Sequence, residues 1–443
     1  MGKLEKYLSY KDSDVEWLGE IPEHWEVIKF KHLFYEKKKT HDISLNCGSI
    51  SFGKVVEKDD EKIPVSTKAS YQVLNKGEFL INPLNLNYDL KSLRIGLSNL
   101  DVVVSSGYLV VRTKQNIDKK YFNYLLHRYD VAYMKTLGAG VRQTLNFNDL
   151  SNTFLVTPPK SEQTKIVSFL DKKTAQIDEV ISQKQKLIEL LKERKQIVIN
   201  DAVTKGEMRQ NHQLLDDFSI GTKGDVQSTA DGKNLEFVDS GVEWIGNIPK
   251  HWEISKLGTS LKPISIKNRA DLPLLSVTRE QGVILRDVED KESNHNFIPD
   301  DLSGYKMVEK GQFAMNKMKA WQGSYGISDY TGIVSPAYFI FELNGIEPTF
   351  FHKAIRSSVY VPFFIKASDG VRIGQWDLSK SRMKEIPFYI PPKDEQFQIV
   401  EHIENQTKKI DIAIELQQNY ISKLKEYKAS LIDSVVTGKV RVS

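Results

Sequence analysis

The feature that most constrains this chain is a long internal repeat. The segment VEWLGEIPEHWEV, from Val15 to Val27, recurs as VEWIGNIPKHWEI from Val242 to Ile254, and nine of the thirteen positions are identical. The two copies start 227 residues apart, whereas solenoid repeats have periods of roughly 20 to 50 residues. The sequence therefore predicts that a whole domain is duplicated.

Later motifs recur in the same order along the chain. They are GEFLIN at Gly77 and GQFAMN at Gly311, GVR at Gly140 and at Gly370, TPPKSEQTKIV at Thr157 and IPPKDEQFQIV at Ile390, and DAVTKG at Asp201 and DSVVTGK at Asp433. The ends of each copy match better than the middle. We therefore expect one duplicated frame that carries two different strand-rich inserts, at about 27–157 and 254–389.

The end of each copy predicts a long helix. The Pro-Pro pairs at 158–159 and 391–392 are each followed by helix-capping or acidic residues, which favour a sharp helix start. Apolar residues then recur at alternating spacings of three and four, a pattern typical of a coiled coil. The predicted seam consists of Ile177, Ile181, Ile188, Leu191, Val198, Ile410, Ile414, Ile421, Leu424 and Leu431.

These patterns predict an α+β fold with an internal pseudo-two-fold. Two mixed α/β domains are expected at opposite ends of an antiparallel two-helix coiled coil. The alternative is that each long helix packs only on its own domain. The predicted segments are a first domain at 1–160, a first spacer helix at 161–204, a linker at 205–240, a second domain at 241–393, a second spacer helix at 394–437 and a tail at 438–443.

Composition limits the function classes only weakly. The chain has 443 residues and a single cysteine, Cys47, which excludes a disulfide framework and fits a reducing cytoplasm. It has no long apolar run, so we expect no membrane span. The net charge of +4 is compatible with nucleic-acid binding only if the cations gather on one face.

No catalytic pattern is found in the sequence. Phosphate-binding GxxxxGK[ST] and zinc-binding HExxH motifs are missing. His24 and His251 belong to the repeated His-Trp pair, where packing is the more common role than catalysis or metal binding. We therefore expect neither a catalytic site nor a metal site on this chain.

Several stretches combine basic residues with amides, aromatics and glycine, a mixture suited to DNA. Arg and Lys bind phosphates, and Arg, Asn and Gln also read base edges in the major groove. Arg142, in one of the repeated Gly-Val-Arg motifs, could equally pair with a carboxylate at the root of its helix. The candidate DNA-binding residues are Lys37, Lys38, Lys91, Arg94, Arg142, Gln143, Asn316, Lys317, Lys319, Arg372 and Gln375.

In their combination and order, the repeated VEWLGEIPEHWEV, PPKSEQTKIV, long helix and DAVTKGE resemble the DNA-specificity subunit of type I restriction–modification systems. The resemblance covers nearly the whole chain. It implies two target-recognition domains that read a bipartite double-stranded DNA target with an unread spacer. Catalysis would lie on partners: two methyltransferase subunits that use S-adenosylmethionine, and restriction/translocase subunits that use ATP and Mg²⁺.

Two other function classes remain open from the sequence alone. The chain could be a structural adaptor that bridges two protein partners, with incidental basic loops. It could also be an enzyme that acts alone, such as a nuclease. Salt-dependent DNA affinity separates the first alternative from DNA reading, because phosphate contacts weaken steeply with ionic strength.

Overall fold

The chain folds into two compact units that share the long helices. A computed structural model describes residues 5–61, 63–85, 93–114, 117–136, 143–206, 236–287, 298–372 and 375–442. Unit 1 comprises residues 1–184 with 418–443, and unit 2 comprises residues 185–417. The units therefore do not follow the predicted contiguous segments, because each long helix begins in one unit and ends in the other.

Unit 1 contains fourteen short strands and four short helices among its described residues. The strands are β1 Tyr10–Asp12, β2 Glu20–Pro22, β3 Glu26–Lys29, β4 Phe34–Glu36, β5 Gly48–Ser51, β6 Lys54–Glu57, β7 Gln72–Leu74, β8 Phe79–Ile81, β9 Leu84–Asn85, β10 Ile95–Leu97, β11 Val102–Val104, β12 Leu109–Thr113, β13 Gln143–Thr144 and β14 Phe154–Thr157. The helices are α1 Phe30–Leu33, α2 Val65–Ala69, α3 Lys119–Ala132 and α4 Phe147–Ser151, and a 3-10 turn spans Met134–Thr136.

The core of unit 1 lies between a four-stranded antiparallel sheet and α3. The sheet order is β10-β8-β12-β4. Phe34 packs edge-on against Phe79 at 5.5 Å and Phe122 at 5.7 Å, and all three rings are fully buried. Helix α3 begins where the side chain of Asp118 accepts hydrogen bonds from two backbone amides of its first turn.

Unit 2 repeats this set of elements. Its strands are β15 Phe237–Asp239, β16 Asn247–Pro249, β17 Glu253–Lys256, β18 Leu261–Ile264, β19 Leu275–Thr278, β20 Gly282–Leu285, β21 Lys306–Val308, β22 Phe313–Asn316, β23 Tyr325–Ile327, β24 Gly332–Val334, β25 Tyr338–Leu343, β26 Ser368–Arg372, β27 Gln375–Leu378 and β28 Pro387–Ile390. Its helices are α6 Leu257–Ser260, α7 Pro348–Ile355, α8 Val361–Lys366 and α9 Lys380–Lys384, with a 3-10 turn at Ala320–Gln322.

The two units share strand topology even where their sequences diverge. In unit 2 the four-stranded sheet has the order β23-β22-β25-β18, which matches β10-β8-β12-β4 strand for strand. The hairpin β5-β6 corresponds to β19-β20, the pair β7-β11 to β21-β24, and β3-β14 to β17-β28. The duplication therefore extends through the inserts, because a shared alternation of buried and exposed positions preserves a sheet while individual side chains change.

Two long helices complete the fold, α5 at Lys160–Lys205 and α10 at Lys393–Val436. These bounds lie within one residue of the predicted 161–204 and 394–437. Every predicted seam residue is buried or half-buried, whereas Val180, Leu187 and Leu190 between them are 39–52% exposed. The apolar period therefore selects one buried stripe along each helix.

In unit 1 the long helices run antiparallel. Lys428 Nζ lies 2.6 and 2.7 Å from the two carboxylate oxygens of Asp178. Lys184 Nζ lies 4.6 Å from the ring centre of Tyr420. Residue numbers rise along α5 as they fall along α10, which is the antiparallel direction.

Unit 2 contains the counterpart of that ion pair. Lys195 Nζ bonds both carboxylate oxygens of Asp411 at 2.7 Å, and each partner lies 233 positions from its equivalent in unit 1. Further along, Ala202 of α5 and Ile403 of α10 join the same buried cluster. The predicted fold class, two mixed α/β domains joined by an antiparallel helix pair, is confirmed.

Among the described residues, no helix is both long and apolar enough to span a membrane.

Candidate nucleic-acid interface

The repeated His-Trp pair and the repeated helix start form one polar cluster in unit 1. Glu162 Oε1 lies 2.6 Å from His24 Nε2, and Glu162 Oε2 accepts hydrogen bonds from Trp25 Nε1 at 3.0 Å and Tyr7 Oη at 3.1 Å. Burial opposes ionisation of this carboxyl, but the three hydrogen bonds more than offset it and lower the pKa of Glu162. We call these four residues the helix-start cluster of unit 1.

Unit 2 repeats three members of this cluster, as His251, Trp252 and Glu395. Glu395 Oε2 lies 2.7 Å from His251 Nε2, and Glu395 Oε1 accepts a hydrogen bond from Trp252 Nε1 at 3.1 Å. The end of α5 packs here at Gly206, which has a positive φ of 62°, and a Cβ there would meet Glu395 at 2.7 Å. The repeated motifs are thus distant in sequence but in contact in space, and the two histidines are hydrogen-bonded parts of this frame.

A repeated glutamine joins the insert to each helix start. Gln163 Nε2 donates to Pro158 O at 2.8 Å, and its Oε1 accepts from the backbone N of Asp118 at the start of α3. Gln396 makes the equivalent bonds to Pro391 O and from the backbone N of Glu347 at the start of α7. Both glutamines are almost fully buried.

Two of the candidate DNA-binding residues are buried in ion pairs within unit 1. Lys37 Nζ lies 2.9 Å from Glu78, and its side chain is 8% exposed. Arg94 Nε lies 2.9 Å from Asp130, with the two side chains 8% and 0% exposed. Because both cations have buried carboxylate partners, we no longer include them among the candidate DNA contacts. Lys38 is exposed and remains a candidate.

Five other candidates lie partly or wholly outside the described residues. Lys91 and Arg142 are outside them altogether. Gln143, Arg372 and Gln375 have described backbones in β13, β26 and β27, but their side chains are outside the described part.

The remaining candidates of unit 2 lie at the end of β22 and directly after it. Asn316 Nδ2 donates to Tyr338 Oη at 3.2 Å, so this amide is buried against a neighbouring strand. Lys317 is half-buried and pairs with Asp377 at 3.2 Å. Lys319 is exposed.

The fold brings the same two chain segments together in each unit. In unit 1 the backbone N of Leu145 donates to Pro83 O at 3.0 Å, and in unit 2 the backbone N of Leu378 donates to Lys317 O at 3.2 Å. We call the two segments the loop edge: residues 82–85 with 143–147 in unit 1, and 316–319 with 375–380 in unit 2. The candidates Gln143, Lys317, Lys319 and Gln375 all belong to a loop edge.

An aromatic pair at the loop edge of unit 2 was missed by the sequence analysis. Trp321 and Trp376 stack with ring centres 5.1 Å apart and planes at 22°. The stack joins the 3-10 turn at Ala320–Gln322 to the β26–β27 hairpin, in addition to the backbone pairing of the hairpin itself. Their separation of 55 positions in sequence gave no signal that the two rings stack.

A cavity of about 1140 Å³ lies in unit 1 away from the loop edge. Its lining includes Tyr7, Trp17, Tyr133 and Arg128, and Arg128 pairs with Asp433 at 2.5 Å. None of the candidate DNA-binding residues lines it.

The described residues contain no group of three or more His, Cys, Asp and Glu side chains that could hold a metal ion. Cys47 is buried, and burial together with the neighbouring Asp60 raises the pKa of its thiol to about 11. A thiol held in the protonated form is a poor nucleophile.

Comparisons with known proteins agree with this architecture. Residues 22–190 match the family model of the type I restriction modification DNA specificity domain. The putative type I restriction enzyme MjaX specificity subunit of Methanocaldococcus jannaschii is 22% identical over 448 residues, which covers 96% of each chain. Residues 22–190 thus resemble the type I DNA specificity domain, and the chain is similar over nearly its whole length to a type I specificity subunit.

The fold is also found in a solved structure. A chain from "Structural basis underlying complex assembly and conformational transition of the type I R-M system" aligns with a TM-score of 0.58 and 13% identity, over 94% of this chain and 98% of that one. The family match covers most of unit 1 and much of α5, and unit 2 has the same strand topology.

Proposed function

We propose that this chain is the DNA-reading subunit of a type I restriction–modification complex. Unit 1 and unit 2 each recognise one half of a bipartite double-stranded DNA target, and the bases between the halves are not read. The chain itself performs no catalysis, and it directs adenine methylation and restriction by its partners.

The main support for this proposal is that the two units share the same frame but have different residues at their loop edges. The helix-start clusters of the two units have hydrogen-bond distances that agree within about 0.1 Å. At the loop edges, however, Pro83 of unit 1 corresponds to Lys317 of unit 2, and the loop edge of unit 2 includes Trp376, which stacks on Trp321. Two readers with one backbone and different edge residues are suited to two different half-sites.

The long helices offer a surface for protein partners. Four large apolar side chains of unit 2 on α5 and α10 are 42–56% exposed, namely Leu187, Leu190, Ile412 and Leu416. Exposed apolar surface of this kind is typical of protein–protein contact. We propose that two methyltransferase subunits bind the helices and bring S-adenosylmethionine, and that restriction/translocase subunits supply the ATP- and Mg²⁺-dependent activity.

The test is the adenine methylome of cells that express this chain with its methyltransferase partner, compared with cells that lack only this chain. We expect a split, asymmetric methylated motif that disappears with the chain. An unchanged methylome, with the partner demonstrably expressed, would contradict DNA reading and favour an adaptor role.

A further inference from the structure

We propose that unit 2 has a phosphate-binding edge, formed by Lys306, Lys317 and Lys380, that binds the DNA backbone beside the second half-site. The equivalent positions of unit 1 have no cation. The inference rests on the proposed function, because its ligand is the duplex target, but it assigns an unequal electrostatic role to two otherwise similar units.

Three polar side chains lie together at one end of the strands of unit 2. Lys306 is the first residue of β21, and its Nζ donates to Tyr338 O at 2.7 Å. Asn316 is the last residue of β22, and its Nδ2 donates to Tyr338 Oη at 3.2 Å. Tyr338 itself starts β25. The ammonium of Lys306, the amide of Asn316 and the phenol of Tyr338 therefore lie together at one end of β21, β22 and β25.

Two more cations lie at this end. Lys317 directly follows β22, and Lys380 starts α9 with its Nζ 5.7 and 5.8 Å from the ring centres of Phe339 and Phe341. Among the described residues, these three lysines have one ion-pair partner, Asp377, which contacts Lys317. Three cations facing one carboxylate leave a net positive charge.

The electrostatics of Lys306 agree with this geometry. Its burial, followed by the like charges of Lys267, Lys380 and Lys317, lowers the pKa of its ammonium. A DNA phosphate at this edge would relieve that repulsion, and lysine binds phosphate as a compact point charge.

Unit 1 has neutral residues at the equivalent positions. Strand register places Gln72 at the position of Lys306, and Gln72 Nε2 also donates to the carbonyl of the equivalent tyrosine, Tyr108, at 2.7 Å. Pro83 corresponds to Lys317 and Phe147 to Lys380, by the loop-edge hydrogen bonds and the starts of α4 and α9. Unit 1 does have a cation nearby, since Lys39 Nζ donates to Ser106 O at 2.8 Å, but it stands at none of the three equivalent positions.

The test uses Lys306→Gln, which copies the residue of unit 1, in the full chain assembled with its methyltransferase partner. Affinity for duplex target DNA is measured between 50 and 200 mM salt. Each phosphate contact contributes about 0.9 to the slope of log affinity against log salt. We expect Lys306→Gln to reduce the slope by about 0.9, with the methylated motif unchanged, and Gln72→Lys to increase it.

The control is Lys310→Gln, because Lys310 is exposed in the turn at the other end of β21 and β22. Its slope should equal that of wild type, and Lys306→Arg should retain most of the slope. If Lys306→Gln assembles poorly, Lys317→Gln provides the same measurement. If both glutamine variants have the wild-type salt slope, the phosphate-binding edge is wrong but the proposed function stands. If the wild-type complex assembles but does not bind target DNA, both the phosphate-binding edge and the proposed function are wrong.

Discussion

Arg94 and Asp130 form a buried ion pair in unit 1, whereas the equivalent residues of unit 2 are Ser324 and Val359. The equivalence follows from backbone bonding: the carbonyls of Arg94 and Ser324 accept from the asparagines at 82 and 316, which end equivalent strands. Asp130 and Val359 each lie twelve residues after the cap of α3 or α7. The duplicated frame thus specifies the backbone hydrogen bonds, while each unit uses its own side-chain chemistry to stabilise them.

At a second pair of equivalent positions, different side chains again support the same backbone hydrogen bond. Asn123 Oδ1 accepts a hydrogen bond from the backbone N of Leu97 at 2.9 Å, and His352 Nδ1 accepts one from the backbone N of Ile327 at 3.1 Å. The side-chain amide of Asn123 and the imidazole of His352 thus accept hydrogen bonds from equivalent backbone N–H groups, each on an edge strand of its sheet. They differ in that only the imidazole can bind a proton as the pH falls below neutral.

The largest effect is expected when Asp130 is replaced. Asp130→Ala leaves the buried guanidinium of Arg94 without its carboxylate, and removal of one partner of a buried pair costs about 3–5 kcal/mol. Hydrogen-exchange mass spectrometry of the full chain should show lost protection in α3 and β10, with unit 2 unchanged. Glu385→Ala is the control, because its pair with Lys256 is exposed and should contribute less than about 1 kcal/mol. Equal effects of the two changes would show that burial of the pair is energetically unimportant.

The next effect depends on pH and should appear in unit 2. Burial, with a smaller contribution from Arg356 and Lys353, lowers the pKa of His352 from 6.5 to about 4. The unfolded chain therefore binds a proton between these values that the folded protein does not, so stability is lost as pH falls from 6.5 to 4.

His352→Asn, which copies Asn123, keeps the acceptor and removes the titration. We expect the variant to avoid roughly 3 kcal/mol of the destabilisation that wild-type unit 2 undergoes by pH 4. Protection of β23 amides at pH 7 and pH 4 measures this difference. An identical loss of protection in wild type and variant would contradict it.

The helix-start clusters should behave alike in both units. Glu162→Ala and Glu395→Ala each leave a tryptophan N–H without its acceptor, which costs about 1–3 kcal/mol. The corresponding glutamine variants retain an acceptor and should cost less. In unit 1, the pKa of Glu162 is lower in the folded protein than in the unfolded chain. The carboxylate therefore stabilises the fold above the usual glutamate pKa, and this stabilisation is lost as the pH falls through the lowered pKa. Glu162→Gln should remove this pH-dependent part of the stability. A large effect in one unit alone would break the equivalence.

The smallest effect is expected at the stacked pair of Trp321 and Trp376 in unit 2. Trp376→Leu removes the stack on Trp321, which is worth about 0.5–1.5 kcal/mol beyond the apolar area lost. We expect faster exchange in β26 and β27 and weaker recognition of one half-site. Unchanged recognition of both half-sites would show that the stack stabilises the hairpin without positioning a DNA-reading residue.

The parts of the fold that have a regular period could be predicted from the sequence. The alternation of Ile177, Ile181 and Ile188 indicated the buried stripe of α5, and the Pro-Pro pairs indicated where the helices start. Side-chain roles that depend on distant partners could not be predicted. Arg94 was interpreted as a DNA contact because its buried partner, Asp130, lies 36 residues away. Lys306 was overlooked because only strand pairing places it beside Tyr338.

The most direct test of the account is to exchange residues 27–157 for the corresponding insert of another specificity subunit and to sequence the adenine methylome. The frame residues Trp25 and Glu162 remain in place, so unit 1 should fold with a new loop edge. We expect one half of the split motif to change while the other half is retained. A change in both halves, or in neither, would contradict the claim that each unit reads its own half-site.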